Sequence, residues 1–266
     1  MHQPVEYDAF ADIYDIWTET ASAAKRNLPF YVEEYLRTAG TVVELGVGNG
    51  RIAIEAARQG KHIIGVDSSA EMLKLCRERA AAAGVTHLLT LIQADFRDFA
   101  LPEPAQLITI PFHTIGHLVT LDDKRAGLRH IYGQLAPGGR LVFDHFVFDP
   151  EVARRSQGVG LRGEYTDAAT GHDLLLWVTS RHDFEAQTTR IIAWTDELDE
   201  DGVVLRRQYR RLSFSWLDPQ QTRALLEETG FQVEALYGDF DRRPFAADSP
   251  EQVWVARRTG GVTRNG

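Results

Sequence analysis

One cysteine, Cys76, is all the thiol that 266 residues contain. A lone thiol excludes an internal disulfide and a cysteine-built zinc site, and it suits a reducing compartment. Positive charge is also scarce: 29 Lys and Arg face 38 Asp and Glu, a formal net charge of -9. That balance argues against the phosphate backbone of a nucleic acid as the main partner. No apolar run approaches the roughly 20 residues that cross a bilayer. The opening MHQPVEYDAF has no basic region followed by an apolar core, as a signal peptide would. The expectation is a cytoplasmic, soluble protein with neither nucleic acid nor membrane as partner. Internal repeats and low-complexity linkers are absent too. Hydrophobic residues at 44% and charged residues at 25% are ordinary globular values, enough for one large α/β domain.

Residues 6 to 37 read as two helices broken near RNLPF, with Pro29 opening the second. Tyr7, Phe10, Tyr14 and Trp17 recur at helical spacing in the first. From 41 to 148, apolar strand-like runs (TVVELG, HIIGVD, LLTLIQAD, QLITIPF, RLVFDHFVF) alternate with helical stretches near 50–59, 69–83 and 122–135. That alternation predicts a parallel sheet covered on both faces. Three long β-rich segments follow, separated by EAQ and DEDG, and predict antiparallel strands over roughly 160–216. LDPQQTRALLEETGF then has a complete helix frame, with Asp218 as N-cap, Pro219 at the first position and Gly230 past the last turn. FQVEALYGDF and EQVWVARR read as two final strands, and TGGVTRNG as a frayed tail.

Chemistry concentrates at strand ends. Glu44-Leu45-Gly46-Val47-Gly48-Asn49-Gly50 ends the first parallel strand. Glycines there let the backbone turn tightly and approach a ligand at a helix N-terminus. The spacing is GxGxG, with an acid two residues before the first glycine. Asp67 ends the second strand, within reach of the ribose hydroxyls of an adenosine-type ligand, or it caps the next helix, as Ser68 or Ser69 could. Met72, one turn on, either flanks an adenine or fills the core. At the third strand end, Asp95 can accept from an exocyclic amino group, and the Phe96 N–H can meet a ring nitrogen.

These segments, with ITIPFHTIGHL and LAPGGRLVFDHF, resemble a class I S-adenosylmethionine-dependent methyltransferase, in its small-molecule branch that methylates amino sugars and other natural-product amines. The match covers roughly 26–148. It implies a Rossmann-like α/β sheet of order 3-2-1-4-5-7-6 with strand 7 antiparallel. The implied division is an N-terminal helical cap (1–40), a cofactor-binding core (41–150), an antiparallel β insertion after strand 5 (151–216), a closing helix and hairpin (217–258) and a tail (259–266). The resemblance implies S-adenosylmethionine as cofactor. Gly46 and Gly48 would line its methionine part, Asp67 its ribose, and Asp95 and Phe96 its adenine, with Glu44, Ser68, Met72 and Pro111 around them. Asn49 stands where relatives often have threonine, so a side-chain hydrogen bond from that place would fall to asparagine. Arg26 or Tyr31, in the helix before the first strand, would reach the cofactor, and Tyr14 and Tyr7 would close over it or simply pack their helix down.

On the acceptor side, PFHTIGHL lacks the Asp-Pro-Pro-Tyr type of motif with which DNA and protein-amide methyltransferases hold a planar amino group. The expected acceptor is a small molecule, methylated on nitrogen or oxygen. His113, His117 and His145 compete as general base, since a histidine near its ordinary pKa can take a proton at neutral pH. No metal-type spacing joins them, and no metal is expected. The β insertion, carrying Trp177, Trp194 and Trp216, is read as a lid or as the surface of a homodimer. The basic run of Arg206, Arg207, Arg210 and Arg211 is read as a solvated face or, less simply, as recognition of an anionic acceptor. The other readings are a non-catalytic cofactor binder, a nicotinamide oxidoreductase and a methyltransferase of macromolecules.

Overall fold

Strands buried on both faces must be apolar almost throughout, and β1 (Val42–Leu45) and β2 (Ile63–Asp67) are buried at every position. In the computed structural model, which describes residues 6–19, 21–155, 158–167 and 170–260, they are interior members of a seven-stranded sheet. The other members are β3 (Leu89–Gln93), β4 (Ala105–Ile110), β5 (Leu135–Phe146), β10 (Phe231–Tyr237) and β11 (Glu251–Arg258). The order is β10-β11-β5-β4-β1-β2-β3. β11 runs antiparallel to both β5 and β10, and the remaining pairs are parallel. This is the expected 3-2-1-4-5-7-6 order with its reversed last strand.

Helices α3 (Arg51–Arg58), α4 (Ala70–Ala82) and α5 (Leu121–Gln134) connect the parallel strands. One core layer gathers Val43, Ile108, Leu128, Leu141 and Trp254, and the other gathers Tyr31, Val42, Ile52, Leu73 and Val142. α7 (Pro219–Glu228) opens with Asp218 and Gln221 in a reciprocal capping box, Pro219 in its first turn, and Gly230 past its end at φ +98°.

Between β5 and α7 stands a second, four-stranded antiparallel sheet: β6 (Val159–Thr166), β7 (Asp173–Asp183), β8 (Thr188–Leu198) and β9 (Val204–Ser215). A short helix, α6 (Pro150–Arg155), leads into it. Its inward residues Leu176, Ala193 and Leu212 pack against Phe10, Ile13 and Trp17. The N-terminal segment is thus the mortar between the second sheet and the rest.

The N-terminal segment departs from its expected form. Residues 6–19 are two 3-10 turns (Glu6–Ala9, Ala11–Ile13) and one short helix, α1 (Tyr14–Glu19). Bonds from Phe10 N to Tyr7 O and from Ile13 N to Phe10 O set a three-residue period, which puts Tyr7, Phe10 and Ile13 on one side. The break falls at extended Ala21, and α2 (Ser22–Arg37) carries Pro29 inside it. Pro29 costs α2 one N–H, yet Phe30, Tyr31, Val32 and Tyr35 beyond it are buried, and that packing holds the helix together. Of the stretch read as a frayed tail, 261–266 lie outside the described residues, as do residues 1–5 at the other end. Among the described residues, no helix is long and apolar enough to cross a membrane.

Candidate active site

A cavity of about 430 Å3 opens at the carboxyl ends of β1, β2 and β3, where such sheets bind ligands. Its floor is the glycine turn. Gly46 lies at φ +71° and Gly48 at φ +54°, the left-handed region that glycine enters without strain. A Cβ on Gly46 would stand 2.5 Å from Thr114 Cγ2, so the turn that carries Thr114 can close over this position only because no side chain is there.

Asp67 faces the floor from the end of β2. Its carboxylate accepts from Gly48 N at 2.8 Å and Ser69 N at 2.9 Å. Burial pushes its pKa up to about 6, against those two backbone bonds. The N-cap of α4 falls to Ser69, whose Oγ accepts from Met72 N at 3.1 Å, which leaves Asp67 turned to the cavity. Ser68 and the fully buried Met72 also line it.

At the third strand end, Asp95 and Phe96 line the cavity, and Arg97 lies with them. The Arg97 guanidinium donates to both oxygens of Asp95, at 2.7 and 2.9 Å, and to Asp123 at 2.5 Å. Burial works to raise the Asp95 carboxyl, but these bonds win and hold it below the ordinary carboxylate range. Arg97 and Asp123 escape the sequence reading. The only signal for them is an arginine two residues after the acid and an acid in the first turn of α5.

The opposite end is aromatic. Tyr7 and Tyr14 stand edge to face at 6.1 Å, and the Tyr7 hydroxyl is 2.9 Å from His117 Nε2. The His117 ring is wedged between Tyr7 and Phe214, with centroids 4.8 and 4.2 Å away. Burial, opposed by a bond to the Ser213 backbone, takes its pKa down to about 3. Burial also lifts the Tyr14 phenol to about 12. Both groups are therefore neutral at physiological pH. Glu6 closes this end by accepting from Ser213 N at 2.9 Å and Ser213 Oγ at 3.1 Å.

The 6–19 segment roofs the cavity through a row of acids. Ser69 Oγ donates to Asp8 at 2.6 Å, Arg210 Nε donates to Asp12 at 3.0 Å, and Asn49 Nδ2 donates to Asp15 at 2.9 Å. Arg210 is only 2% exposed and also donates to the Ala9 carbonyl at 2.8 Å. This corrects the reading of its basic run as a solvated face: alternation along β9 turns Arg210 inward. Arg207, by contrast, lies outside and pairs with Asp196 at 2.5 Å.

Seven other sequence candidates lie outside the cavity lining. Glu44 is buried beneath the floor and accepts from the Tyr35 hydroxyl at 3.0 Å, and burial pushes its carboxyl up to about 8. Asn49 is spent on Asp15 and on Arg51 N. The Pro111 carbonyl accepts from Thr114 Oγ1 at 2.5 Å. Arg26 pairs with Glu251 at 3.0 Å and Asp239 at 3.4 Å. Tyr31 donates to Asp144 at 2.6 Å. Asp144 also accepts from Phe112 N and His113 N, both at 2.9 Å, so one carboxylate holds two successive residues at φ +60°. His113 Nε2 meets Glu251 at 2.8 Å. Burial lowers its pKa, and the Glu251 bond with the charges of Glu251 and Asp144 reverses that to a net rise. His145 is 3% exposed and donates from Nε2 to the Ser215 carbonyl at 3.0 Å. His113, Asp144 and Glu251 bring their ligand-type atoms within 4.8 Å of one another, a grouping that the sequence spacing does not reveal. Its acids accept from Arg26, Tyr31 and two backbone N–H groups, which joins the three residues into a buried polar network.

Trp216 is buried and stacks on Phe148 at 3.7 Å, while Trp177 and Trp194 lie 6.4 Å apart and nearly parallel. All three stand away from the cavity.

A family model described as a methyltransferase domain matches residues 42–139. The chain is 24% identical to a glycine/sarcosine N-methyltransferase of Halorhodospira halochloris, over 97% of this chain and 90% of that one. It is 25% identical to a cypemycin N-terminal methyltransferase of a Streptomyces species, over 97% and 100%. The solved structure of the CcbJ methyltransferase from Streptomyces caelestis superposes with a TM-score of 0.77 at 28% identity, covering 96% of this chain and 98% of that one.

Proposed function

Since the chain is a class I S-adenosylmethionine-dependent methyltransferase, we propose that it methylates the amino nitrogen of a small molecule. The observation that carries this reading is the pairing of Tyr7 with His117 at the end of the cavity away from Asp95. Of two relatives that span nearly the whole chain, one is named an N-methyltransferase and the other an N-terminal methyltransferase, which favours nitrogen over oxygen.

The cofactor fits the residues present. A bare glycine floor, a strand-end carboxylate at Asp67 and an acid at Asp95 stand along one cavity of about 430 Å3, in the order in which a methionine tail, a ribose and an adenine follow one another. When bound, S-adenosylmethionine supplies a sulfonium methyl open to in-line displacement. In this reading Gly46 and Gly48 lie against its methionine part. Asp67 holds the ribose, Asp95 and the Phe96 N–H meet the adenine, and Tyr14 covers the methyl end.

Tyr7 and His117 then receive the acceptor. With its proton committed to His117 Nε2, the Tyr7 oxygen presents lone pairs that can accept an amine N–H and aim the nitrogen lone pair at the methyl. Held by Gly46, Gly48, Asp67, Asp95 and Phe96, S-adenosylmethionine would supply its methyl to that nitrogen and leave as S-adenosylhomocysteine, and the surplus proton of the methylated ammonium would pass to solvent. A histidine held near pKa 3 is too weak a base to strip an alkylammonium, so the acceptor enters as the free amine. Orientation and desolvation then do most of the work. The roof of residues 6–19 admits a small acceptor more easily than a folded macromolecule. A cytoplasmic setting and a homodimer formed through the β insertion are part of this proposal.

The test begins with calorimetric titration by S-adenosylmethionine, S-adenosylhomocysteine and NADH, repeated on Asp67→Ala. Adenosyl compounds alone should bind, and the substitution should weaken them. Methyl transfer is then followed on glycine, sarcosine, an amino sugar, a peptide with a free N-terminus and a phenol. Turnover of the phenol alone would sink the amine reading, and NADH binding without adenosyl binding would sink the cofactor assignment.

A further inference from the structure

We propose that Lys124 is a positioning residue for methyl transfer: buried beneath the 114–117 turn, it grips the carbonyls on either side of His117 and so sets that ring against Tyr7. The inference rests on the amine-methyltransferase reading of the cavity.

Lys124 Nζ donates to the Ile115 carbonyl at 3.0 Å and the Leu118 carbonyl at 2.6 Å. It is only 2% exposed. An ammonium here is unfavourable on two counts, since it is buried and sits in the first turn of α5, at the positive end of the helix dipole. An apolar side chain of the same length would pack without either cost. Nor do the carbonyls need the lysine to escape being orphaned: Leu118 N also donates to Ile115 O at 3.3 Å, and Ser215 Oγ to Leu118 O at 3.1 Å. What the lysine adds is a charge-assisted grip on the segment that carries His117.

That grip has a counterpart. Ser215 Oγ shares its one proton between the Leu118 carbonyl at 3.1 Å and the Gly116 carbonyl at 3.3 Å, and His145 Nε2 fixes the Ser215 carbonyl from behind at 3.0 Å. The turn is thus held from α5 on one side and from β9 on the other, while Thr114, His117, Leu118 and Val119 face the cavity.

Burial brings the Lys124 ammonium down to about 7, with Asp123 on its own helix working the other way. From the turn and from β5, His117 and His145 face it, both kept neutral by burial. Across an adjoining cavity of about 300 Å3 stand Arg125 and Glu228, paired with each other at 2.6 Å. The charge therefore comes and goes near neutral pH, and with it half the strength of the hold.

Nitrogen-15 NMR of protein labelled in lysine and histidine tests this, with His117 assigned by His117→Gln. In the unmodified protein the Lys124 Nζ and His117 Nε2 shifts should move together, with one midpoint near neutral pH. In Lys124→Met the His117 step should vanish, with S-adenosylhomocysteine affinity unchanged. A His117 step that survives in Lys124→Met overturns the proposal, as do lysine and histidine shifts that titrate apart. The second criterion needs no variant, so it decides the matter even if Lys124→Met fails to fold. S-adenosylhomocysteine binding in the same samples separates the two readings: co-titration without binding would remove the methyltransferase assignment of the cavity, whereas binding without co-titration would remove only the role of Lys124.

Discussion

The Tyr7 hydroxyl lies 2.9 Å from Nε2 of His117, a residue 110 positions further along the chain. The contact ties the roof of the cavity to the turn after β4, at the place where the acceptor is proposed to lie. Tyr7→Phe keeps the ring packing and removes the oxygen. A single neutral hydrogen bond is worth about 0.5–1.5 kcal/mol, so kcat should fall by about threefold to tenfold. KM for S-adenosylmethionine should hardly move. Steady-state kinetics on the best amine of the panel measures both, and an unchanged kcat would remove Tyr7 from the transfer step.

The low pKa of His117 has its own consequence for pH. Burial keeps the ring neutral down to about pH 3, so it contributes no limb to a rate profile between roughly pH 5 and 9. The acidic limb of kcat/KM should instead belong to the acceptor, because only its free-amine form reacts. Two acceptors whose amine pKa values differ by about two units should show limbs displaced by about the same amount. A limb at one fixed pH for both would assign the proton to a protein base instead.

Glu44 predicts a stability effect that is separate from catalysis. Burial raises its carboxyl to about 8, so the folded state binds a proton that the unfolded state has lost above about pH 4.5. Its contribution is present at low pH and is lost as pH rises through 8. Glu44→Gln keeps an acceptor for Tyr35 and cannot ionise. Its melting temperature relative to the unmodified, ligand-free protein should therefore climb between pH 5 and 9, by roughly 5 °C. A constant difference across that range would mean that Glu44 is already charged below pH 5.

Gly46 and Thr114 should behave as a pair. Gly46→Ala places a methyl 2.5 Å from Thr114 Cγ2 and an alanine at φ +71°. Cofactor affinity should fall by about 1–3 kcal/mol, the usual cost of a strained backbone position. Thr114→Ser removes the colliding methyl and keeps the Oγ1 bond to Pro111. The double variant should regain part of that loss, and calorimetry over the four-member cycle reads the coupling. Additive losses would show that the backbone conformation alone matters.

Much of this architecture is legible in the residues themselves. Val42, Val43, Ile63, Ile64 and their neighbours announce central parallel strands because both faces of such strands are covered. The frame of Asp218, Pro219 and Gly230 marks α7 because each residue type answers a specific need of a helix end. Gly46, Gly48, Asp67 and Asp95 could be placed at one site because parallel topology sends successive strand ends to the same edge. What local pattern could not carry was long-range pairing. Tyr14 and His117 stand out in the sequence, but their neighbours Glu6, Arg97, Asp123 and Ser213 are set by contacts between distant segments. Arg26, Tyr31, Glu44 and His113 have the right chemistry for a ligand, yet each spends it inside the protein. Arg210 misleads for the same reason, since its partner Asp12 lies 198 positions away.

That last pair supplies a direct test of the roof. The Arg210 guanidinium is almost wholly buried, while Asp12 is about half exposed, so the acid reaches down from the 6–19 segment to a cation fixed in the second sheet. Asp12→Asn leaves the buried charge with the Ala9 carbonyl, the Gln208 carbonyl and Thr195 Oγ1 as its nearest remaining acceptors. Losing the carboxylate should loosen the segment by about 1–3 kcal/mol, seen as faster amide exchange over residues 6–19. Amides in β1, β2, β4 and β5 should exchange as before, because their core does not include this contact. Cofactor affinity should fall too, since Tyr7 and Tyr14 ride on the loosened segment. Faster exchange throughout the seven-stranded sheet would instead make Arg210 a support of the whole fold, and the roof would lose its independence.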